Sequence, residues 1–212
     1  MGASPRSSAF TLIELLVTLG IIGALSILII PVAFKVRDNA RAAACANNLK
    51  QAGVGFGLYA ADNDGRLPTH DIGVDGNVSS SFWSQVAPYV NWQQGSDRAS
   101  LAAHTIMHCP NHTEAPGSFS YRGNSELLKA PETGGLKMAQ VNNPSKKILL
   151  YEVHVYCEWP IASISASGTG KTPWMPEFAH HAHGVFSNFL FADGHVEASG
   201  ENLSNRPTYW EP

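Results

Sequence analysis

The stretch FTLIELLVTLGIIGALSILIIPVAF, Phe10–Phe34, is an apolar run with a single ionisable side chain, Glu14. A helix rises about 1.5 Å per residue, so roughly 20 apolar residues cross the hydrocarbon core of a membrane. The run meets that length and predicts a transmembrane helix. Residues 1–9 before it are short and polar, with Arg6 as their only charged side chain, which is typical of a leader.

Glu14 is unusual within the span, because inserting a charged side chain at the membrane centre costs about 2.5–3.5 kcal/mol of free energy. Near the helix N-terminus the dipole favours a carboxylate, which can also reach the headgroups. Alternatively, Glu14 meets a cationic group inside an apolar assembly. Gly20 and Gly23 permit close helix contact, and Pro31 predicts a kink or local melting of the helix.

The residues Ala9, Phe10 and Glu14, followed by an apolar helix with Gly23 and Pro31, resemble the class III signal of type IV pilins and type II secretion pseudopilins. This resemblance implies that a prepilin peptidase cuts between Ala9 and Phe10 and methylates the new amino group. Glu14 then pairs with the Phe10 amine of a neighbouring subunit. The family usually has Gly before the cut, where this chain has Ala9.

The rest of the chain is long enough for one domain with its own core, since roughly 150–180 of the 212 residues lie outside the span. The net charge of −3 becomes −4 when the +1 of Arg6 leaves with the leader, so no basic surface for nucleic acid is expected. We divide the chain into a leader (1–9), a transmembrane helix (10–34), its continuation (35–62) and a globular domain (63–212).

Charges flanking the span bear on its orientation. Lys35, Arg37 and Arg41 follow it, while only Arg6 precedes it, and the positive-inside rule therefore favours a cytoplasmic domain. The pilin-like signal implies the opposite: a single-pass inner-membrane protein with an extracytoplasmic domain. We adopt that orientation because dedicated machinery reads the signal. A cleavable secretory signal fits less well, since the apolar run is too long and Lys35 follows it.

Beyond the span, apolar residues recur at spacings of three and four, which predicts that the helix continues with one covered face. These residues are Ala42, Cys45, Leu49, Ala52, Phe56 and Tyr59. The helix should end near Asp62, because a turn sequence and then Pro68 follow. Phe82–Trp92 is apolar but broken by Pro88, which predicts a short helix or an irregular segment that packs on the main helix.

Three cysteines are present. Cys109 and Cys157 form a possible disulfide if the domain is extracytoplasmic, and Cys45 is interpreted as a small apolar residue on the helix. His108, Cys109 and His112 offer soft metal ligands but lack a second clustered pair, so a buried cysteine with surface histidines is preferred. Residues 160–176 nearly spell a phosphate-binding loop, but two prolines prevent the helix that it requires, which favours an ordinary loop.

Two regions predict strands. Lys147–Trp159 alternates apolar residues with polar ones such as Glu152, which predicts a strand with one face on the helix. Near the C-terminus, Asn188–Ala192 and His195–Ser199 flank Asp193-Gly194, a strong hairpin signal. We therefore expect an α+β, pilin-like fold, with the long N-terminal helix packed on a small antiparallel sheet with long loops.

His183 precedes Asp193-Gly194 with nine residues between His and Asp. Together with Cys109-Pro110, Ser120-Tyr121 and the strand from Ser145, this spacing is similar to the pilin-like subfamily named for its H-x9-DG motif. His183 could bond the Asp193 turn and fix the hairpin, which is our preferred interpretation. The weaker one is a divalent metal site; its candidate ligands are His180, His181, His183, Asp193 and His195.

The sequence thus predicts a non-enzymatic structural subunit, without a cofactor, of a type IV pilus or a secretion pseudopilus. Its expected partners are prepilin peptidase, other pilin or pseudopilin subunits and inner-membrane lipid. Two alternatives stay open. One is a membrane-tethered metal-binding protein or hydrolase that uses the His-rich C-terminal region, and the other is a binding module whose signal anchor is never cleaved.

Overall fold

The computed structural model describes residues 11–69, 82–90, 106–111, 120–124, 126–128, 134–152, 161–162, 183, 186–200, 203 and 207–209. Its contacts divide the chain into two units, residues 1–40 and residues 41–212, and each is described by itself. The predicted α+β class is confirmed, because one long helix precedes short helical segments and a small sheet.

Helix α1 spans Leu12–Asp62 and is long and apolar enough to cross a membrane. Among residues 11–40, which the structure describes, the large apolar side chains are all exposed, the least of them being Leu25 at 52%. The helix runs through Pro31 without a break, so the local melting expected there is wrong. Proline removes one hydrogen bond, and the turns on either side keep theirs. A bend at Pro31 stays a prediction.

In the unit of residues 41–212, α1 buries five of the six residues predicted on its covered face, and the sixth, Tyr59, is half-buried. The buried residues of α1 are Ala42, Cys45, Leu49, Ala52, Gly55, Phe56 and Ala60. The helix ends at Asp62, where Asp64 and Gly65 adopt left-handed backbone angles, with φ of 53° and 73°. The Gly65 N–H donates to the Ala60 carbonyl at 2.8 Å, which satisfies one of the last carbonyls of the helix.

A second helix, α2 (Phe82–Val86), continues as a single 3-10 turn over Ala87–Val90. The Phe56 ring on α1 lies 5.8 Å from the Phe82 ring and 6.5 Å from the Trp83 ring, measured between centroids. The predicted packing segment is therefore confirmed as a short helix against α1. Its last predicted residues, Asn91 and Trp92, lie outside the described part of the chain.

The sheet contains five described strands in the order β3-β1-β2-β4-β5. They are β1 (Tyr121–Asn124), β2 (Ile148–Glu152), β3 (Ile161–Ala162), β4 (Ser187–Phe191) and β5 (Val196–Ser199). Four strands pair antiparallel, as predicted, and the two-residue β3 adds a parallel edge beside β1. No parallel pairing was expected.

The predicted hairpin is confirmed as β4 and β5, joined by the turn Ala192–His195. The Gly194 N–H donates to the Phe191 carbonyl and the Phe191 N–H to the His195 carbonyl, both at 2.9 Å. Gly194 has a φ of 92°, which a residue with a Cβ rarely adopts. The Asp-Gly pair thus suits the turn because Gly194 can adopt the positive φ that the turn requires.

Strand β2 departs from the predicted alternation. Its register shifts between Ile148 and Leu150, and Leu149 and Leu150 both join the main core with α1. Tyr151 belongs to a separate cluster with Phe189 and Phe191. Apolar clusters therefore cover both faces of β2, all five of its residues are buried, and Glu152, expected on a polar face, is 1% exposed. The rest of the predicted strand, Val153–Trp159, lies outside the described residues.

Candidate functional site

At the start of α1, Glu14 is bonded to Thr11. Its Oε2 accepts hydrogen bonds from the Thr11 backbone N–H at 2.9 Å and from the Thr11 hydroxyl at 2.8 Å, and the Glu14 N–H lies 3.4 Å from the same hydroxyl. This is a capping box, in which a Thr and a Glu three residues later satisfy each other's backbone donors. The Thr-x-x-Glu spacing is readable in the sequence, and the capping box adds a local hydrogen-bonding role to those predicted for Glu14.

The second unit contains a buried centre, which we define as Cys45, Cys109, Glu152 and His183. One ligand-type atom from each of the four residues lies within 4.8 Å of the others. The residues come from α1, from the segment before β1, from the end of β2 and from the segment before β4. The centre therefore exists only in the folded domain.

Cys45 and Cys109 form a disulfide, with their Cα atoms 4.9 Å apart. Both expectations for these residues are wrong: Cys45 is not merely a small apolar residue, and Cys109 does not pair with Cys157, which itself lies outside the described residues. The physical reason is that Cys45 lies on the buried face of α1, where the segment of residues 106–111 packs. Three hydrogen bonds hold that segment. Asn48 Nδ2 donates to the His108 carbonyl at 3.0 Å, the Cys109 N–H donates to Ser120 Oγ at 2.9 Å and the Ser120 N–H donates to the Met107 carbonyl at 3.1 Å.

Glu152 accepts hydrogen bonds from two groups of Asn188 on the neighbouring strand. The Asn188 backbone N–H lies 2.7 Å from Oε2 and its Nδ2 lies 3.1 Å from Oε1. Nδ2 also lies 3.4 Å from the Ala42 carbonyl on α1. These contacts explain how a carboxylate can be buried here, because buried charges require hydrogen-bonding partners.

His183 completes the environment of Glu152. Its Nε2 lies 3.2 Å from each of the two carboxylate oxygens and 3.8 Å from Cys109 Sγ. Nε2 donates to this carboxylate in the tautomer that has its proton on Nε2. The Nδ1 atom is buried and has no hydrogen-bond partner among the described residues. The ring lies 5.3 Å from that of Phe186, between centroids.

This geometry does not match a nucleophile–base–acid relay. In such a relay the acid orients the imidazole through one ring nitrogen while the nucleophile uses the other. Here Glu152 and Cys109 both approach Nε2, and the Cys109 sulfur is bonded to Cys45. What the centre offers is a set of donor atoms of mixed softness: two sulfurs, an imidazole and a carboxylate.

Tyr121 borders the centre from β1, and its hydroxyl donates to the Cys45 carbonyl at 3.3 Å. Burial, together with the nearby Glu152 carboxylate, raises the pKa of the Tyr121 phenol well above its ordinary value. The phenol thus stays neutral beside the carboxylate at physiological pH.

The structure separates His183 from Asp193, because one precedes β4 and the other follows it. A strand of this length spans roughly 17 Å, so the expected hydrogen bond between His183 and the Asp193 turn is wrong. His195 bonds the turn instead: its N–H donates to Asp193 Oδ1 at 3.1 Å and its Nδ1 contacts the same oxygen. Burial acts to raise the pKa of Asp193, but the hydrogen bonds from His195 outweigh it and lower that pKa.

Asp193 and His195 contact each other, but neither metal candidate is brought to His183 in the described part of the chain. Asp193 and His195 lie at the far end of the hairpin from His183. The structure does not describe His112, His180 or His181. Of the phosphate-loop-like stretch, residues 160–176, it describes only the two residues of β3. Burial lowers the pKa of His108, which is not part of the buried centre.

Sequence reasoning missed Cys45, Glu152 and Asn188 as members of one site. Two signals were available: a cysteine on the predicted buried face of a helix, and a carboxylate within an apolar strand. Neither signal predicts which residues the cysteine or the carboxylate contacts, because the four segments that form the buried centre are far apart in the sequence.

Residues 4–30 match the family model described as the prokaryotic N-terminal methylation motif, and this range contains Ala9, Phe10 and Glu14. Neither the search of curated proteins nor the search of solved structures found a match. The H-x9-DG resemblance stays a prediction. The chain carries the N-terminal signal of a pilin- or pseudopilin-type precursor, on an α+β pilin-like fold.

Proposed function

We propose that this protein is a structural subunit of a type IV pilus or a type II secretion pseudopilus. Prepilin peptidase cuts between Ala9 and Phe10 and methylates Phe10. The N-terminal helix anchors the subunit in the inner membrane. The same helix then packs against those of other pilins or pseudopilins when the subunit assembles. The observation that carries the proposal is the exposed apolar surface of α1, which begins directly at the matched methylation motif.

That surface has to be covered. Large apolar side chains from Leu12 to Val36 are exposed, and exposed apolar surface costs about 25 cal/mol for each Å² in water. A lipid bilayer covers it in the membrane, and the equivalent helices of other subunits cover it in a filament. Gly20 and Gly23 have no atom within 4 Å of an added Cβ, so their surface is open to a neighbouring helix.

Glu14 gives this helix its register in the assembly. Its carboxylate is held at the helix start by Thr11, the residue that follows Phe10 in the sequence. A protonated Phe10 amine on a neighbouring subunit pairs with it in the apolar filament core, where an unpaired charge would be costly. A misplaced neighbour leaves both charges unpaired.

The disulfide supports an extracytoplasmic domain. Disulfides persist in oxidising compartments and are rare in the cytoplasm, and Cys45–Cys109 lies in the domain that follows the span. This supports the adopted orientation against the positive charges of Lys35, Arg37 and Arg41.

The test replaces Glu14 with Ala and compares it with Glu197→Ala, which removes an exposed carboxylate on β5. We expect Glu14→Ala to leave membrane insertion intact but to abolish recovery of the subunit in sheared filaments or in crosslinked assemblies, because the register pair is lost. Glu197→Ala should assemble as the unchanged chain does. Undiminished assembly of Glu14→Ala would refute the proposed role of Glu14.

A further inference from the structure

We propose that the dithiol form of the buried centre is a zinc site, with Cys45, Cys109, Glu152 and His183 as its four ligands. The inference rests on the donor atoms in residues 41–212 and does not depend on the assembly function. It differs from the metal site considered from the sequence, which used the histidines near the hairpin with Asp193.

The chemistry of the donors favours Zn²⁺. Zinc binds cysteine sulfur, imidazole nitrogen and carboxylate oxygen, and structural sites are closed by four protein ligands in a tetrahedron. Two thiolates exclude the hard cations Mg²⁺ and Ca²⁺, which prefer oxygen ligands. The centre supplies two sulfurs, one nitrogen and one carboxylate.

The distances fit the same geometry. Ligand bonds of about 2.0–2.3 Å at tetrahedral angles separate the ligand atoms by roughly 3.3–3.8 Å. His183 Nε2 lies 3.2 Å from the carboxylate oxygens and 3.8 Å from Cys109 Sγ. The two sulfurs are much closer than a zinc ion requires, because they are bonded to each other. Once the thiols are free, the sulfurs can separate to admit the ion.

The surroundings are those of a structural site. Cys45, Cys109 and Glu152 are 0%, 3% and 1% exposed, and the His183 side chain is 3% exposed. The hydrogen bonds from Asn188 already hold the Glu152 carboxylate in position, as outer-shell partners of zinc ligands do. No open ligand position is implied, so we assign the site a role in folding and not in catalysis.

Binding balances as a displacement of protons. The chain is synthesised with two thiols; Zn²⁺ replaces the two thiol protons and binds the Nε2 lone pair of the neutral His183 ring, whose single ring proton is then on Nδ1. Disulfide formation competes, because it removes two electrons and two protons from the same thiols to a disulfide-class oxidant. Zinc and the disulfide are therefore alternative ways of joining α1 to the segment before β1.

The first experiment uses the full chain in detergent, reduced with a dithiol under anaerobic conditions, exposed to Zn²⁺ and then desalted. We expect about one zinc per reduced chain by elemental analysis and none in the oxidised chain. His183→Gln and Glu152→Gln should lose the zinc, and His195→Gln, which changes a histidine outside the centre, should keep it. Equal zinc in His183→Gln and His195→Gln, or equal zinc in the reduced and oxidised chains, would overturn the proposal.

A second measurement needs no variant. In the reduced, unchanged chain, zinc should slow alkylation of Cys45 and Cys109, read by peptide mass spectrometry, because bound thiolates are protected. Removal of zinc by a chelator should restore the rate. Alkylation of both cysteines at the same rate with and without zinc would refute the site even if the substituted chains fail to fold.

Discussion

Glu152 has almost no contact with water, so its hydrogen bonds determine what a substitution costs. In the oxidised chain, Glu152→Ala leaves the Asn188 N–H and the His183 ring unpaired, and we expect a loss of about 3–5 kcal/mol in the free energy of unfolding. Glu152→Gln keeps an acceptor oxygen and should lose about 1–3 kcal/mol.

Urea unfolding of the full chain in detergent, followed by tryptophan fluorescence, measures both losses. The difference between the two variants is the informative quantity. Equal losses for Ala and Gln would show that side-chain volume, and not hydrogen bonding, explains the burial of Glu152.

Tyr121 gives the domain a dependence on alkaline pH. Its folded-state pKa is raised, so its contribution is complete below the ordinary tyrosine pKa of about 10 and is lost as pH rises further, because the unfolded chain ionises first. Tyr121→Phe removes this part of the pH dependence. It also removes the hydrogen bond to the Cys45 carbonyl, at a cost of about 1 kcal/mol below pH 10.

Unfolding free energies of the unchanged chain and of Tyr121→Phe at neutral pH and above pH 10 test this. The difference between the two chains should shrink as pH rises. A difference that is constant across the range would contradict the assignment of the raised pKa to Tyr121.

At the scale of the elements, two glycines on α1 form a matched pair. A Cβ on Gly57 meets no atom within 4 Å, so Gly57→Ala should stabilise the helix by up to about 1 kcal/mol. A Cβ on Gly55 would lie 2.4 Å from Val90 Cγ1 and 2.7 Å from Val86 Cγ1, so Gly55→Ala should destabilise the packing of α2 on α1.

Thermal unfolding of both variants, monitored by circular dichroism at the helix band, checks the pair. Opposite shifts of the midpoint are expected. If both variants are more stable than the unchanged chain, helix propensity alone determines the change in stability, and the close packing at Gly55 is not rigid.

The elements that could be predicted are those with a local pattern. The three-and-four spacing from Ala42 to Tyr59 predicts the covered face of α1, and Asp193-Gly194 predicts the hairpin. The burial of Glu152 could not be predicted, since apolar clusters cover both faces of β2 and every residue of the strand is buried. The two-residue strand β3 is too short to leave a pattern.

At the scale of the whole molecule, the buried centre depends on contacts between segments that no sequence spacing connects. Cys45 and Cys109 are 64 positions apart, and His183 and Glu152 are 31 apart. Periodicity predicts that Cys45 is buried, but only the packed domain determines which residue it meets. The N-terminal signal is different, because its residues act within one contiguous segment and can be recognised there.

The central claim is that this contiguous signal is processed and turns the apolar helix into an assembly element. Intact-mass and N-terminal peptide analysis of the native protein, extracted from membranes, tests it most directly. The account predicts a chain that lacks residues 1–9, begins at Phe10 and carries one methyl group on its amino nitrogen. A membrane-bound chain that retains residues 1–9, or begins at Phe10 without the methyl group, would contradict it.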